Sequence, residues 1–416
     1  MDRPVIWHIV EQHGEEAAFL WLLRDAAVGA PHYSLVELAS LDNRIEAHFD
    51  GLRIAGEAGW KTCAAALAQE EPGEVFCAAV LALEGGDRDK IQSVYNTVEL
   101  APETSRGLVA AFGWVNRAWW RGEVRDLLHS DELHWRRIGL AAAATHRVDP
   151  GAVLIESLQV QDVELRAMAL RVAGVLGRVD FLPAIAAQVQ STDPEVRFQA
   201  ACSAALLGDR GAAPREALTF VGMQQPRLAD RALKVALRAL PLNAALPWVN
   251  QLVRQPEDLR HAVLACGIIG EPGCVPWLLE QMSVPELARV AGESFAMITG
   301  VDLAYEDLEG EWPKGFEGGP TEDAEDENVT LDADEDLPWP EPRLIADWWS
   351  RSHGSFRSGQ RYLVGKPIGV EHLEWVLRYG MQRQREAAAL ELKLLHPAEP
   401  LFETRAPGFR QQQMLG

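Results

Sequence analysis

The sequence predicts an all-α protein, an α-solenoid of about eight or nine helical hairpins with a period near 30 residues. Three observations carry that prediction. Of the 416 residues, 58 are Ala and 51 are Leu, so about a quarter of the chain consists of the two residues that cost least in a helix. Alternating strand patterns are nearly absent. One segment also recurs. Its clearest copy, TDPEVRFQAACSAALLGD (Thr192–Asp209), has Asp193 as an N-cap, Pro194 in the first turn and Gly208 as a stop, with Val196, Ala200, Ala201, Ala204 and Leu207 on one stripe.

Taken in order, residues 1–60 read as an N-terminal helical cap and residues 61–301 as the repeat array. With the position of Arg197 as register, the series is Phe76, Arg106, Arg136, Arg166, Arg197, Ala229, Arg260 and Arg289, at intervals of 30, 30, 30, 31, 32, 31 and 29. QDVELRAMALRVAGVLG repeats the pattern with Asp162, Arg166, Ala169, Ala173 and Gly177, and Pro72, Pro102, Pro226, Pro256 and Pro285 mark further helix starts. Between registers lies room for a second helix of about 10 to 12 residues, as in Phe181–Gln190 and Val275–Met282. Neither helix of a hairpin buries its stripe alone, so neighbours must stack. Residues 302–342 read as an acidic disordered or loop insertion. Glu306–Glu341 hold 15 acidic residues and one Lys, too little apolar surface to offset ordering. Residues 343–416 read as a basic, Gly/Ser-rich stretch and then a hairpin, Val370–Tyr379 and Gln382–Leu395 about Gly380, expected to cap the array, with Arg385 placed like a repeat Arg.

Asp162/Arg166, Asp193/Arg197, Arg260 and Arg289 resemble the short HEAT-like repeats of phycobilin lyases over roughly residues 40–300. The resemblance implies a hydrogen-bonded Asp–Arg ladder between adjacent repeats, with Phe76 and Ala229 departing from it. HGEEAAFLWLLRDAA and LDNRIEAHFDGLRIAGEAGW near the start, with GQRYLVGKP, MQRQREAAALEL and LFETRAP near the end, look like a bacterial family of HEAT-repeat proteins. Genes of that family often lie beside type VI secretion components. It implies an adaptor or accessory task and no established activity.

The chemistry-bearing motifs are few. His13 with Glu16 and His48 with Asp50 are the close His/carboxylate pairs of the N-terminal helices, but H-E-x-x-H is absent and further ligands would have to come from elsewhere. DADED lacks EF-hand spacing. No G-x-S-x-G, P-loop or dinucleotide fingerprint occurs. The five cysteines form no C-x-x-C pair and read as reduced thiols, with Cys202 and Cys266 on apolar stripes. No catalytic residue, cofactor or metal is therefore expected. Adjacent tryptophans Trp119/Trp120 and Trp348/Trp349 point about 100° apart on a helix, so one of each pair is expected to be partly exposed or to pack under a loop. Trp339, Trp348 and Trp349, beside the acidic run, are the candidates for a protein-binding site. The competing reading is that they pin that run to the solenoid.

The function expected on these grounds is a non-catalytic protein-binding scaffold or adaptor in the cytoplasm, accessory to type VI secretion. The alternatives are an enzyme with a site between the N-terminal helices and the C-terminal cap, or a HEAT-like DNA-binding protein using Arg171, Lys234 and Arg238. The start, MDRPVIWHIVEQHGEE, is no signal peptide, and no membrane span is expected. A formal charge of -22 opposes nucleic acid. Outside Glu306–Glu341, however, 46 acidic residues face 38 basic ones, a charge of -8. The localised excess suggests a partner protein with a basic surface, or a basic stretch of the chain itself such as Arg351–Lys366.

Overall fold

A computed structural model describes residues 5–224, 226–319 and 332–416, the side chains of 223–226 apart. It is all-α: 22 α-helices and one two-stranded antiparallel hairpin among the described residues. The chain forms two compact units, Met1–Leu207 with Pro397–Gly416, and Gly208–His396.

The first unit opens with α1 (Trp7–Ala27) against α2 (Leu35–Ala55), then α3 (Glu57–Ala66). Ser34 starts α2 through a capping box with Glu37, which satisfies two otherwise orphaned N–H groups. There follow α4 (Pro72–Gly85), α5 (Arg88–Leu100), α6 (Ser105–Trp114), α7 (Arg117–Leu128), α8 (Leu133–Thr145), α9 (Ala152–Ser157), α10 (Val163–Leu176), α11 (Leu182–Ala186) and α12 (Pro194–Leu206). The even-numbered helices from α4 to α12 pack one on the next, each burying small and aliphatic side chains. Small residues set the spacing: in α10, Gly174 lies directly against Ser203 of α12, whose hydroxyl donates to the Leu170 carbonyl at 2.8 Å. The second unit continues the alternation with α13 (Ala212–Gln224), α14 (Pro226–Ala239), α15 (Leu242–Val253), α16 (Leu259–Ile269), α17 (Val275–Gln281) and α18 (Pro285–Thr299), α14 packing on α16 and α16 on α18.

All eight register residues fall within the first five positions of the helices α4, α6, α8, α10, α12, α14, α16 and α18. The helices between them are shorter than expected in places. Of Phe181–Gln190 only Leu182–Ala186 is α-helical, and α9 has six residues. Others reach the expected length, as α5 with 13 residues and α7 with 12.

After α18 come the described flanks of the acidic segment, then α19 (Pro342–Ser352), the strands β1 (Tyr362–Leu363) and β2 (Lys366–Pro367), α20 (Val370–Tyr379) and α21 (Gln382–Leu395). The hairpin was not expected from the sequence, which reads there as Gly/Ser-rich. Its backbone closes helix ends. Tyr362 N–H donates to the Gly270 carbonyl after α16 (2.8 Å), and Val364 and Gly365 N–H donate to Met297 and Ile298 carbonyls in the last turn of α18 (2.7 and 3.1 Å), groups that a helix leaves unsatisfied. The α20–α21 hairpin has the predicted boundaries, but α21 makes its main repeat contact with α14. The chain then passes into the first unit, where 397–416, including α22 (Gly408–Leu415), lie along α1, α2, α8 and α10. Arg24 bridges the Asp42 carboxylate (2.9 Å) and the Ala406 carbonyl (2.8 Å), and Gly408 N–H donates to the same carboxylate. The family-like LFETRAP stretch is thus an anchor.

Candidate functional site

The ladder residues divide into two groups. In the first unit Arg136, Arg166 and Arg197 each donate to a carbonyl six residues earlier, those of Ser130 (2.7 Å), Val160 (3.5 Å) and Ser191 (2.7 Å). Asp162 and Asp193 cap their own helices, accepting from Leu165 and Val196 N–H at 2.7 and 2.9 Å. These bonds are local, unlike the inter-repeat rungs that the resemblance implies, and each Asp uses its Oδ1 to cap its own helix.

In the second unit the corresponding arginines reach across the chain instead. Arg260 makes a bidentate pair with Asp334 (2.6 and 2.7 Å), while Arg289 donates to the Asp334 carbonyl and to Asp332 Oδ2, both at 2.7 Å. The Arg289 guanidinium, 3% exposed, is framed by Trp312, Trp339 and Phe316, with centroids at 4.8, 5.6 and 5.9 Å. Such a planar cation suits both carboxylate pairing and ring stacking. The stems of the acidic segment are closed by Gly310 N–H to the Trp339 carbonyl and Glu341 N–H to that of Leu308. Gly318 lies against this clasp: a Cβ there would meet the ends of the Asp332 and Arg289 side chains and displace them. The described flanks of the acidic insertion are loop tied back to the repeat helices, and the cis partners of Asp332 and Asp334 are repeat arginines, not Arg351–Lys366. Residues 320–331 lie outside the described part. Glu306, Asp307, Glu309, Glu311 and Glu335 remain exposed.

Trp339 is half-buried against Trp312 (5.1 Å), and Trp348 and Trp349 pack edge-on to Phe295 of α18 at 5.7 and 6.4 Å. All three pack within the second unit and remain partly exposed. The Trp119/Trp120 pair splits as expected, 49% and 2% exposed. An exposed aromatic ridge of the second unit lies on α20. Leu373, Val376 and Leu377 bury one face, while Trp375 (47% exposed) and Tyr379 (64%) stand on the other, 5.5 Å apart. His372 stacks on Trp375 at 5.8 Å, and its Nε2 is fixed at 2.7 Å from the Leu363 carbonyl in β1. The ridge is thus held before any partner arrives. The sequence signal was available as the spacing i, i+3, i+7 of His372, Trp375 and Tyr379.

Of the basic residues considered for DNA, Lys234 pairs with Glu386 at 2.8 Å and buried Arg238 with Glu391 at 3.6 Å, both in the second unit, while Arg171 is exposed on α10 of the first. The two His/carboxylate pairs converge: His13 Nδ1 and His48 Nδ1 lie 3.1 Å apart. Burial first, and then His13, lowers the His48 pKa, and a hydrogen bond between the two rings accounts for the contact. No group of three or more His, Cys, Asp or Glu able to hold a metal occurs among the described residues. All five cysteines are buried, and none forms a disulfide. Among the described residues no helix is long and apolar enough to cross a membrane. Comparison with protein-family models, curated proteins and solved structures found no match.

Proposed function

We propose that this chain is a non-catalytic protein-binding scaffold whose partner is a basic protein, acting as an adaptor, chaperone or immunity-like factor of a bacterial type VI secretion apparatus. One observation carries the protein-binding part, the pre-positioned Trp375/Tyr379 ridge on α20. Tryptophan and tyrosine bring large contact area at little conformational cost and dominate binding hot spots. The exposed carboxylates at Glu306–Glu311 and Glu335 support a basic partner, since complementary charge raises the rate of encounter. The secretion context rests on the resemblance of the terminal segments.

The test is a pull-down with the purified chain at low and high salt, repeated with Trp375→Ala/Tyr379→Ala. A stoichiometric secretion-related partner is expected, and the double variant should weaken its binding by about tenfold or more with an unchanged melting temperature. Replacing Glu306, Glu309, Glu311 and Glu335 by Gln should flatten the salt dependence. A partner held equally by both variants would refute the proposed surface.

A further inference from the structure

The outer face of α20 joins the Trp375/Tyr379 ridge to three charges. At about 100° per residue, Glu371, Glu374, Trp375 and Arg378 fall on one stripe, with Val370 and Tyr379 at its two borders. All six are exposed, while the opposite face of the helix is buried. None of Glu371, Glu374 and Arg378 makes an ion pair among the described residues, although Glu374 and Arg378 stand four apart, the spacing at which such pairs form. The stripe is nearly its own complement. When two such helices run antiparallel about a two-fold axis between residues 374 and 375, each copy meets the same face of the other. Glu371 then lies opposite Arg378 of the second copy, and Glu374 lies within one turn of that Arg. The two Trp375 indoles meet beside the axis, with Tyr379 of each copy further out along the same flank.

We propose that α20 pairs antiparallel with α20 of a second copy of this chain, and that this self-association covers the ridge until a partner displaces it. The inference rests on the reading of the ridge as a binding surface and adds its regulation. An Arg at the centre of an otherwise acidic stripe calls for a carboxylate opposite it, and the second copy brings Glu371 in register. Trp375 and Tyr379 provide the apolar contact, and paired aromatic rings add to what their area gives. The helix has 10 residues and is about 15 Å long, so its face is small beside the roughly 800 Å² a side of a standard interface. The dimer is therefore weak, with a dissociation constant on the order of 10 µM or above, and a tighter partner displaces it.

The experiment is sedimentation equilibrium of the full chain from about 1 to about 500 µM. A monomer–dimer equilibrium is expected. Glu371→Arg or Arg378→Glu, each setting like charges together twice per dimer, should weaken it about tenfold or more, and the double variant Glu371→Arg/Arg378→Glu should restore it. These side chains are exposed, so the fold is not at stake, and a merely structural role would not give that rescue. Trp375→Ala should also weaken the dimer about tenfold. A chain that stays monomeric over the whole range, or a dimer unmoved by the single charge reversals, overturns the proposal. The partner pull-down is read separately. A partner held through Trp375 and Tyr379 by a chain that never self-associates sinks the self-association alone, whereas a dimer with charge-swap rescue and no captured partner supports it and sinks the adaptor reading.

Discussion

Arg289 occupies a repeat position that the 30-residue period predicts, yet its partners Asp332 and Asp334 lie more than 40 residues away. Periodicity marks where a helix face points and says nothing about which distant acid meets it. Because the guanidinium is buried, Arg289→Met should leave Asp332 short of its partner and cost about 3–5 kcal/mol, the usual loss on breaking a buried pair. Arg289→Lys should recover only part of it, because a point charge cannot donate to both acceptors and stack on Trp312. Urea denaturation followed by tryptophan fluorescence checks both. A second residue reports through pH. His146 stacks on Trp120 at 4.7 Å, its Nε2 faces the Phe112 carbonyl at 2.7 Å and its Nδ1 faces Arg410 at 2.9 Å. Burial first, and then Arg410, lower its pKa to about 4, against about 6.5 when unfolded. Between those values the unfolded chain binds a proton that the folded chain refuses, so stability falls as pH drops through that window. Melting temperatures should decline between about pH 7 and about pH 5, and His146→Gln, which keeps an acceptor and a donor, should flatten that part of the decline.

At the scale of elements, the helices that repeat were readable because caps, prolines and stripes are local signals. The α20–α21 boundaries followed from Gly380 and two amphipathic runs for the same reason. The β-hairpin was not readable: its strands are two residues each, and what holds them is the set of free carbonyls at the ends of α16 and α18. Its turn carries a cost. Val364 has φ +48° and Gly365 φ +80°, and a β-branched residue in the left-handed region is strained by about 1–3 kcal/mol. Val364→Asn should therefore raise the melting temperature, since Asn tolerates that region. Calorimetry should show no such gain for Val364→Ile.

At the scale of the whole molecule, the chain's order does not map onto its units. Residues 397–416 belong with the first unit although they follow the second in sequence. Nothing local could have announced this, since Arg24 and Ala406 are 382 positions apart. Much of the attachment is charged. Besides the Arg24–Asp42 contacts, Arg147 pairs with Glu403 at 2.8 Å, Arg405 with Asp25 at 2.7 Å, and Arg410 donates to the Gly113 and Thr145 carbonyls at 2.9 Å. Arg147 and Arg171 hold the buried Glu403 carboxyl below the usual range, although burial alone would raise it. Asp42, by contrast, is raised, because burial outweighs Arg24 and the Gly408 N–H. Stopping the chain after His396 removes the donors and acceptors that balance these groups and leaves Arg24 and Asp42 with unmet hydrogen bonds. The truncated protein should show faster amide exchange in α1, α2 and α8, with exchange in α14, α16 and α18 unchanged. Adding 397–416 back as a peptide should restore protection in the first unit, more weakly at high salt. Equal loosening of both units would show instead that the terminal segment supports the molecule as a single cooperative body.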